Sequence, residues 1–479
     1  MTSDVIRFIH NDKIIEIKDS DPNETVLNYV REKYKKTGTK EGCAEGGCGA
    51  CTIVVGTLNK NNIDYEAINS CIAFLPMING KQLILVEDLA KDSKSLHPVQ
   101  EAMYNFHGSQ CGFCTPGFVM SLFAMFKNNY IYDDETIKDS ISGNLCRCTG
   151  YNPIIKAAKS LNGKNKIDKF FKNKNLTINL LKRINNDNYN IDNNKRKFFS
   201  PKNISDLKKI LKQYPNSDIL NGGTDLSLRV TKERNNLNSI IYLGSIKELK
   251  YIKQNERFIE VGASTPLIKF EGIVKKFYPD FYKILKRYGS VQIRNVATIS
   301  GNIATASPIG DTLPILLSLN ANIVISDHKG NKIMPLNGFF INYRKTILKK
   351  GQFIKSVQIP FSKNNIFKAY KVSKRIDDDI SSICGSFNIN IKKNIIKEIF
   401  IAYGGMSATP KRALNCEKAL LNNDFSKESF ILAQKSLEKD FSPIDDVRAS
   451  ANYRKEIAKN LLLKCFLEIK NNKKIEING

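Results

Sequence analysis

The chain has 479 residues, of which 42% are hydrophobic and 25% charged, with a formal net charge of +27. That is material for about three domains with buried cores, and no apolar run approaches the ~18 residues of a membrane span. The charge comes from lysine used throughout, alongside asparagine and isoleucine, and no segment interleaves arginines with exposed aromatics, so a nucleic-acid partner is not expected. The opening "MTSDVIRFIHNDKIIEI" alternates like a strand and lacks the apolar stretch of a signal peptide, which makes the cytoplasm the expected compartment. Thiols stay reduced there, and clustered cysteines read as metal ligands or redox groups rather than disulfides.

In chain order, residues 1–86 read as short strands ("VIRFIH", "KIIEIK", "CTIVVGTLN", "YEAINSCIAFL", "QLILVED") with one helix near Val26 to Tyr34, a small α+β unit. Residues 87–162 turn helical. "SLHPVQEAMYNFH" carries Val99, Met103 and Phe106 on one face, "TPGFVMSLFAMFKNN" has proline in its first turn, and "DDETIKDSISG" opens on a capping aspartate. A fourth helix is expected in "NPIIKAAKSL". Residues 163–194, rich in asparagine and lysine, read mostly as a linker, although "LTINLLKRI" has the pattern of an ordered segment. Strands and helices alternate over 195–366, and a last unit, 367–479, has the strands "SSICGSFNINI" and "IKEIFIAYGG" followed by helices.

Eight of the eleven cysteines lie between Cys43 and Cys148; Cys384, Cys416 and Cys465 read as small apolar residues. Cys43, Cys48, Cys51 and Cys71 give C-x4-C-x2-C and a fourth cysteine after nineteen intervening residues, which is plant-type [2Fe–2S] spacing. Zinc sites favour paired C-x2-C units instead. An anionic cluster needs backbone N–H groups aimed at its sulfurs, and Gly42, Gly46, Gly47 and Gly49 are expected to give the loop that freedom. Cys111 and Cys114 in "QCGFCTPG", with Cys146 and Cys148 in "NLCRCTGY", form a second set. Its spacing suits a second cluster, a structural zinc site or a redox dithiol.

Two glycine-bearing segments stand out further on. "ILNGGTDLSLRV" reads as a strand and a turn, whose Gly222 and Gly223 expose N–H groups, before a helix that could receive phosphate; an ordinary glycine turn reads the same way. "SGNIATASPIGD" offers Gly301, small residues and hydroxyls. No GxGxxG occurs, so a Rossmann dinucleotide site is not expected.

"EGCAEGGCGACTIVV", "QCGFCTPGFVMS" and "GNLCRCTGYNPI" together resemble the paired ferredoxin domains of the molybdenum hydroxylases, the xanthine dehydrogenase family. The similarity continues through both glycine segments, "FFINYRKTIL", "KAYKVSKRIDDDIS" and "AYGGMSATPKRA". It implies an α+β multidomain fold: a plant-type ferredoxin β-grasp domain (1–86), a four-helix [2Fe–2S] domain (87–162), an FAD-binding α+β domain (195–366) and a C-terminal α+β domain with a small antiparallel sheet (367–479). It also implies two [2Fe–2S] clusters, one on each cysteine set, and FAD. Ile219, Leu220, Asn221, Gly222, Gly223, Thr224, Asp225 and Leu226 would wrap the FAD diphosphate. Thr298, Ile299, Ser300, Gly301, Asn302 and Asp311 would hold the remainder, with Thr305 near the ring. Tyr288, where the family often has phenylalanine, would lie against the flavin, Ile354 and Lys371 would close the site, and Glu45 would face the flavin edge. Asp377 to Asp379 would border the approach of nicotinamide.

The four histidines, His10, His97, His107 and His328, sit in no metal-ligand pair or nucleophile motif and read as surface or cap residues. No catalytic residue for substrate is therefore expected here. The resemblance places molybdopterin on a larger partner subunit, in a heterotetramer of two small and two large subunits. Electrons would pass through the clusters to FAD and then NAD, in oxidation of hypoxanthine or xanthine to urate. A sister hydroxylase acting on an aldehyde or N-heterocycle, or a free-standing diaphorase, fits the same residues.

Overall fold

Alternation in "IRFIH" and "KIIEI" forms a hairpin, Ile6–His10 with Lys13–Ile17, because Asn11 and Asp12 both take positive φ in its two-residue turn. The hairpin belongs to a computed structural model that describes residues 2–90, 95–128, 131–164, 166–184, 188–193, 195–361 and 364–475. The chain divides into two compact units: Met1–Lys247 with Gly289–Ala297, and Glu248–Tyr288 with Thr298–Gly479.

In the first unit a five-stranded sheet runs Lys13–Ile17, Ile6–His10, Gln82–Ile84, Thr52–Asn59, Asn62–Asn69. Ile6–His10 pairs Gln82–Ile84 in parallel, and the other neighbours are antiparallel. The expected helix near Val26 is capped by the Thr25 hydroxyl, is α-helical only over Val26–Asn28, and widens into a π turn over Tyr29–Lys33. The expected strand "YEAINSCIAFL" stops at Asn69, since Cys71 must turn toward the other thiols. Four helices follow: Pro98–Asn105, Thr115–Asn128, Asp134–Ile141 and Asn152–Ser160. Thr115–Asn128 is buried on every side from Gly117 to Phe126, as an all-round apolar helix must be, and it packs on the strands Thr52–Asn59 and Asn62–Asn69.

The helices and the sheet share one apolar core rather than having one each. Ile9, Val54, Tyr65 and Ile84 come from the sheet, Phe118, Phe123, Ile154 and Leu161 from the helices, and Phe170, Ile178 and Leu181 from residues 163–194. That last group corrects the linker reading. The stretch forms the helices Lys169–Lys172 and Lys174–Ile184 and the strand Asn188–Asp192, because its few apolar residues recur at helical spacing and insert into the core. Asp168 fastens the entrance. Its carboxylate accepts from the Phe171 N–H (2.7 Å), the Lys127 ammonium (2.9 Å) and the His97 Nε2–H (3.2 Å). His97 does cap a helix, its Nδ1 accepting from Val99 N–H, but it is buried. His10, read as a surface or cap residue, is buried too, against Asp88 (2.9 Å) and the Tyr34 hydroxyl (2.7 Å). A second sheet in this unit runs Thr2–Ser3, Asn188–Asp192, Lys197–Ser200, Ser239–Tyr242, Asp218–Leu220.

The second unit holds an antiparallel sheet in the order Ile252–Gln254, Phe258–Gly262, Phe353–Pro360, Asn322–Ser326, Asn331–Pro335. It also holds the four-stranded antiparallel sheet Asn365–Val372, Ile383–Lys392, Ile395–Gly404, Lys411–Arg412, on which the helices Leu414–Leu420, Lys427–Asp440 and Ala451–Lys470 pack. Cys384, Cys416 and Cys465 are buried and pack as small apolar side chains, as their sequence context implies. Among the described residues no helix is long and apolar enough to cross a membrane.

Burial alone would raise the Asp168 carboxyl, but His97 and Lys127 hold it below its ordinary value. Its stabilising contribution is therefore present above the unfolded aspartate pKa of about 3.9 and is lost as pH falls through the lowered folded value. Asp168→Asn should cost on the order of 3 kcal/mol near pH 7, because it leaves Lys127 buried and uncompensated. Denaturation midpoints of the variant and the parent should converge below about pH 4. A gap that stays constant with pH would remove the carboxylate charge from the account.

Candidate functional site

The plant-type cysteines converge. Cys51 and Cys71 are buried with their sulfurs 3.2 Å apart, while Cys43 and Cys48 are half-buried and face each other, and Cys43 also meets Cys71. Of the four glycines expected to free this loop, Gly46 and Gly49 take positive φ and Gly42 and Gly47 do not; Ala44 does so at its own cost. The turn aims the N–H groups of Glu45 (3.4 Å) and Gly47 (3.3 Å) at the Cys43 sulfur. Contact with the Cys48 and Cys71 thiols pushes Cys43 down, and contact with Cys71 does the same for Cys51. Facing Cys43, Cys48 and Cys71 are pushed up.

The second set is more open. Cys111 and Cys148 are exposed and face each other, and Cys114 faces Cys146. The Phe113 N–H lowers Cys111, while burial pushes Cys114 up to about 12. Against the cost of burial, the Thr149 hydroxyl (3.1 Å) and N–H (3.4 Å) bring Cys146 down. In each set four thiols lie together with backbone N–H groups on their sulfurs, and the cysteine spacing of the first set suits a two-iron core better than one tetrahedral ion. Among the described residues no three side chains of metal-binding type close on a single ion. Paired thiols with N–H groups on their sulfurs fit a [2Fe–2S] cluster in both places.

The two sets adjoin. Leu145 N–H donates to Cys48 O at 3.0 Å, which joins the residue before Cys146 to a cysteine of the first set. A Cβ on Gly117 would collide with Gly49 O, so helix Thr115–Asn128 meets the first cysteine loop backbone to backbone.

The flavin segments fall in both units. In the first, Asp218–Leu220 ends in the turn holding Asn221 to Leu226, and Gly222 lies so close to Val296 O that a side chain there would collide. The helix expected to receive phosphate is only the single turn Leu228–Thr231, so any anion contact rests on the turn itself. Glu45 pairs with Lys232 (3.3 Å), whose ammonium also reaches Cys43 O (3.4 Å). In the second unit Thr298 caps helix Ile299–Thr305, and the buried Ser300 hydroxyl has no partner, the kind of donor that a bound ligand would satisfy. Asn302 donates to the Tyr288 hydroxyl (2.9 Å) and accepts from Thr312 (2.5 Å). Lys371, fully buried, donates to Asp311 (2.7 Å) and Arg287 O (3.0 Å), and Asp311 also accepts from Ser381 (2.5 Å). Ile354 is buried on strand Phe353–Pro360. Thus Tyr288 joins Asn302, and Asp311 joins Lys371. Arg287, Thr312 and Ser381, which the sequence did not single out, complete the two networks.

Comparison with known proteins gives these domains an order. Residues 8–75 match a 2Fe-2S iron-sulfur cluster binding domain, and 85–159 a [2Fe-2S] binding domain. Residues 192–362 match the FAD binding domain in molybdopterin dehydrogenase, and 368–469 the CO dehydrogenase flavoprotein C-terminal domain. The class is therefore an iron–sulfur flavoprotein with two [2Fe–2S] domains and an FAD-binding domain. In this order the domains match the small-subunit architecture of the molybdenum hydroxylases. Xanthine dehydrogenase of Emericella nidulans is 30% identical over 95% of this chain and 38% of its own length. That of Oryza sativa is 32% identical over 86% of this chain and 36% of its own. The chain thus spans well under half the length of these relatives. Carbon monoxide dehydrogenase of Hydrogenophaga pseudoflava (TM-score 0.53, 23% identity) is covered over 94% of a chain that matches 56% of this one. For quinoline 2-oxidoreductase of Pseudomonas putida the values are 0.53, 20%, 96% and 57%. These two share the fold.

Cys71→Ala and Cys148→Ala should each lower the iron content of the purified protein by about half, with the remaining iron in the untouched set. Cys416→Ala, in the apolar core, should leave iron unchanged. Loss of iron in the Cys416 variant, or none in the other two, would overturn the assignment of the thiols.

Proposed function

We propose that this chain is the electron-transfer subunit of a molybdenum-containing xanthine dehydrogenase. Its eight paired cysteines hold two [2Fe–2S] clusters, and FAD lies at Ile219 to Leu226, Tyr288, Thr298 to Asn302, Thr305, Asp311, Ile354 and Lys371. When bound, the clusters carry single electrons and the flavin turns them into a hydride for NAD⁺. The observation that carries this reading is the contact between the two cysteine sets, where one backbone hydrogen bond separates Cys48 from the peptide entering Cys146.

Exposure supports one direction for the route. Cys111 and Cys148 lie at the surface, flanked in sequence by Phe113 (49% exposed) and Leu145 (42%), whereas Cys51 and Cys71 are buried. Electrons therefore enter at the second set, under a larger partner subunit that holds molybdopterin and oxidises the purine. The Cys43 loop, with Glu45 and Lys232 at its rim, hands them on. The paired assembly is a heterotetramer in the cytoplasm. The same arrangement serves a sister enzyme acting on an aldehyde or an N-heterocycle, and the fold shared with quinoline 2-oxidoreductase keeps that alternative in view.

Anaerobic addition of xanthine to the natively purified complex should bleach the visible flavin and iron–sulfur bands, and NAD⁺ should restore them. Bleaching by dithionite but not xanthine would keep the cofactors and discard the purine. In the same complex Cys148→Ala should abolish xanthine-driven turnover while sparing NADH-driven dye reduction. Unchanged xanthine turnover in that variant would refute entry through the second set.

A further inference from the structure

The segment Gly289–Ala297 belongs with the cysteine-bearing unit although the residues on both sides of it do not. Its polar side chains are unusually buried: Ser290, Gln292 and Arg294 are fully inaccessible and Asn295 nearly so. A polar residue is stable there only with partners, and those partners lie beside the cysteines. The Gln292 amide shares its two hydrogens among Ser121 Oγ (3.0 Å), Asn144 Oδ1 (3.0 Å) and Thr52 Oγ1 (3.3 Å). Thr52 follows Cys51, Ser121 sits on the helix that starts after Cys114, and Asn144 lies two residues before Cys146. Asn144 in turn donates to Gly49 O (3.1 Å), next to Cys48.

The direction of these bonds is forced. The Thr52 hydroxyl donates to Gly49 O and the Ser121 hydroxyl to Asn144 Oδ1, so both oxygens can only accept from Gln292. Gln292 Oε1 is buried without a partner, so the hold rests on the amide hydrogens alone. Arg294 adds an ion pair to Asp139 (2.5 Å) on helix Asp134–Ile141, and Val296 O packs on Gly222 of the predicted diphosphate turn.

We propose that Gln292 is a positioning residue that fixes the separation of the two cysteine-bound centres, with Gly289–Ala297 as a wedge between their loops. The inference rests on the assignment of [2Fe–2S] clusters to both sets. Gln292→Glu keeps the shape and removes the hydrogens, placing a charged acceptor against three oxygens that accept from the parent amide. Gly143→Ala leaves Gln292 intact but drives a Cβ into its Oε1 and into Ser290, so it displaces the wedge from the other side.

The test is low-temperature electron paramagnetic resonance of the dithionite-reduced, natively purified protein. It is read for the magnetic splitting between the two clusters, which falls with the inverse cube of their separation. Iron and sulfide contents are measured alongside. With both clusters loaded, Gln292→Glu and Gly143→Ala should change the splitting in the same direction. Ile178→Ala, a core truncation costing about 2–5 kcal/mol, should lower stability and leave the splitting as it was. Parental splitting in both loaded variants would overturn the proposal, as would an equal change in Ile178→Ala. If one variant fails to fold, the other decides. Iron missing from either set in the parent would instead defeat the cluster assignment itself.

Discussion

Everything in the first unit depends on how closely the backbone of the Cys43–Cys51 loop is approached. Gly49 O lies where a side chain at Gly117 would stand, and the same loop accepts Leu145 N–H at Cys48 O. Peptide groups at that distance bring two sets of thiols together without an intervening layer of side chains. They also leave no room for adjustment, because packed backbone cannot yield as a side chain can. The glycines of this loop are therefore used in two ways: two for left-handed φ, and one of those also for the approach.

A contact of this kind persists only if the elements bearing it cannot drift. The shared core, built from sheet, helices and residues 163–194, removes the freedom that two domains on a tether would have. Asp168 closes the arrangement at one end, between His97 and Lys127, and Gln292 and Arg294 close it at the other. These are buried polar groups, costly alone and stabilising through their partners. They specify one packing where an apolar interface would tolerate several.

Electrostatics follow from the same packing. Four sulfurs in contact cannot all ionise by themselves, and the thiols divide into lowered and raised partners. In the second unit the buried Lys371–Asp311 pair is completed by Ser381 and the Arg287 carbonyl, by the same rule that a buried charge needs every partner.

Cysteine spacing, glycine placement and the periodicity of the strands and helices are local properties, and the sequence alone determined them. The two thiol sets, the order of the domains, the four-helix unit and the apolar role of Cys416 and Cys465 were all legible there. Local rules do not reach residues that act at a distance in the chain. Gln292 is 148 positions from Asn144, and Asp168 is 71 from His97, and neither carries a motif. The pattern of "LTINLLKRI" was visible inside the asparagine-rich stretch, but the core that stabilises helix Lys174–Ile184 is made elsewhere and was not. Only the tertiary structure decided which polar residues are buried together, because burial is a property of the whole packing and not of any segment.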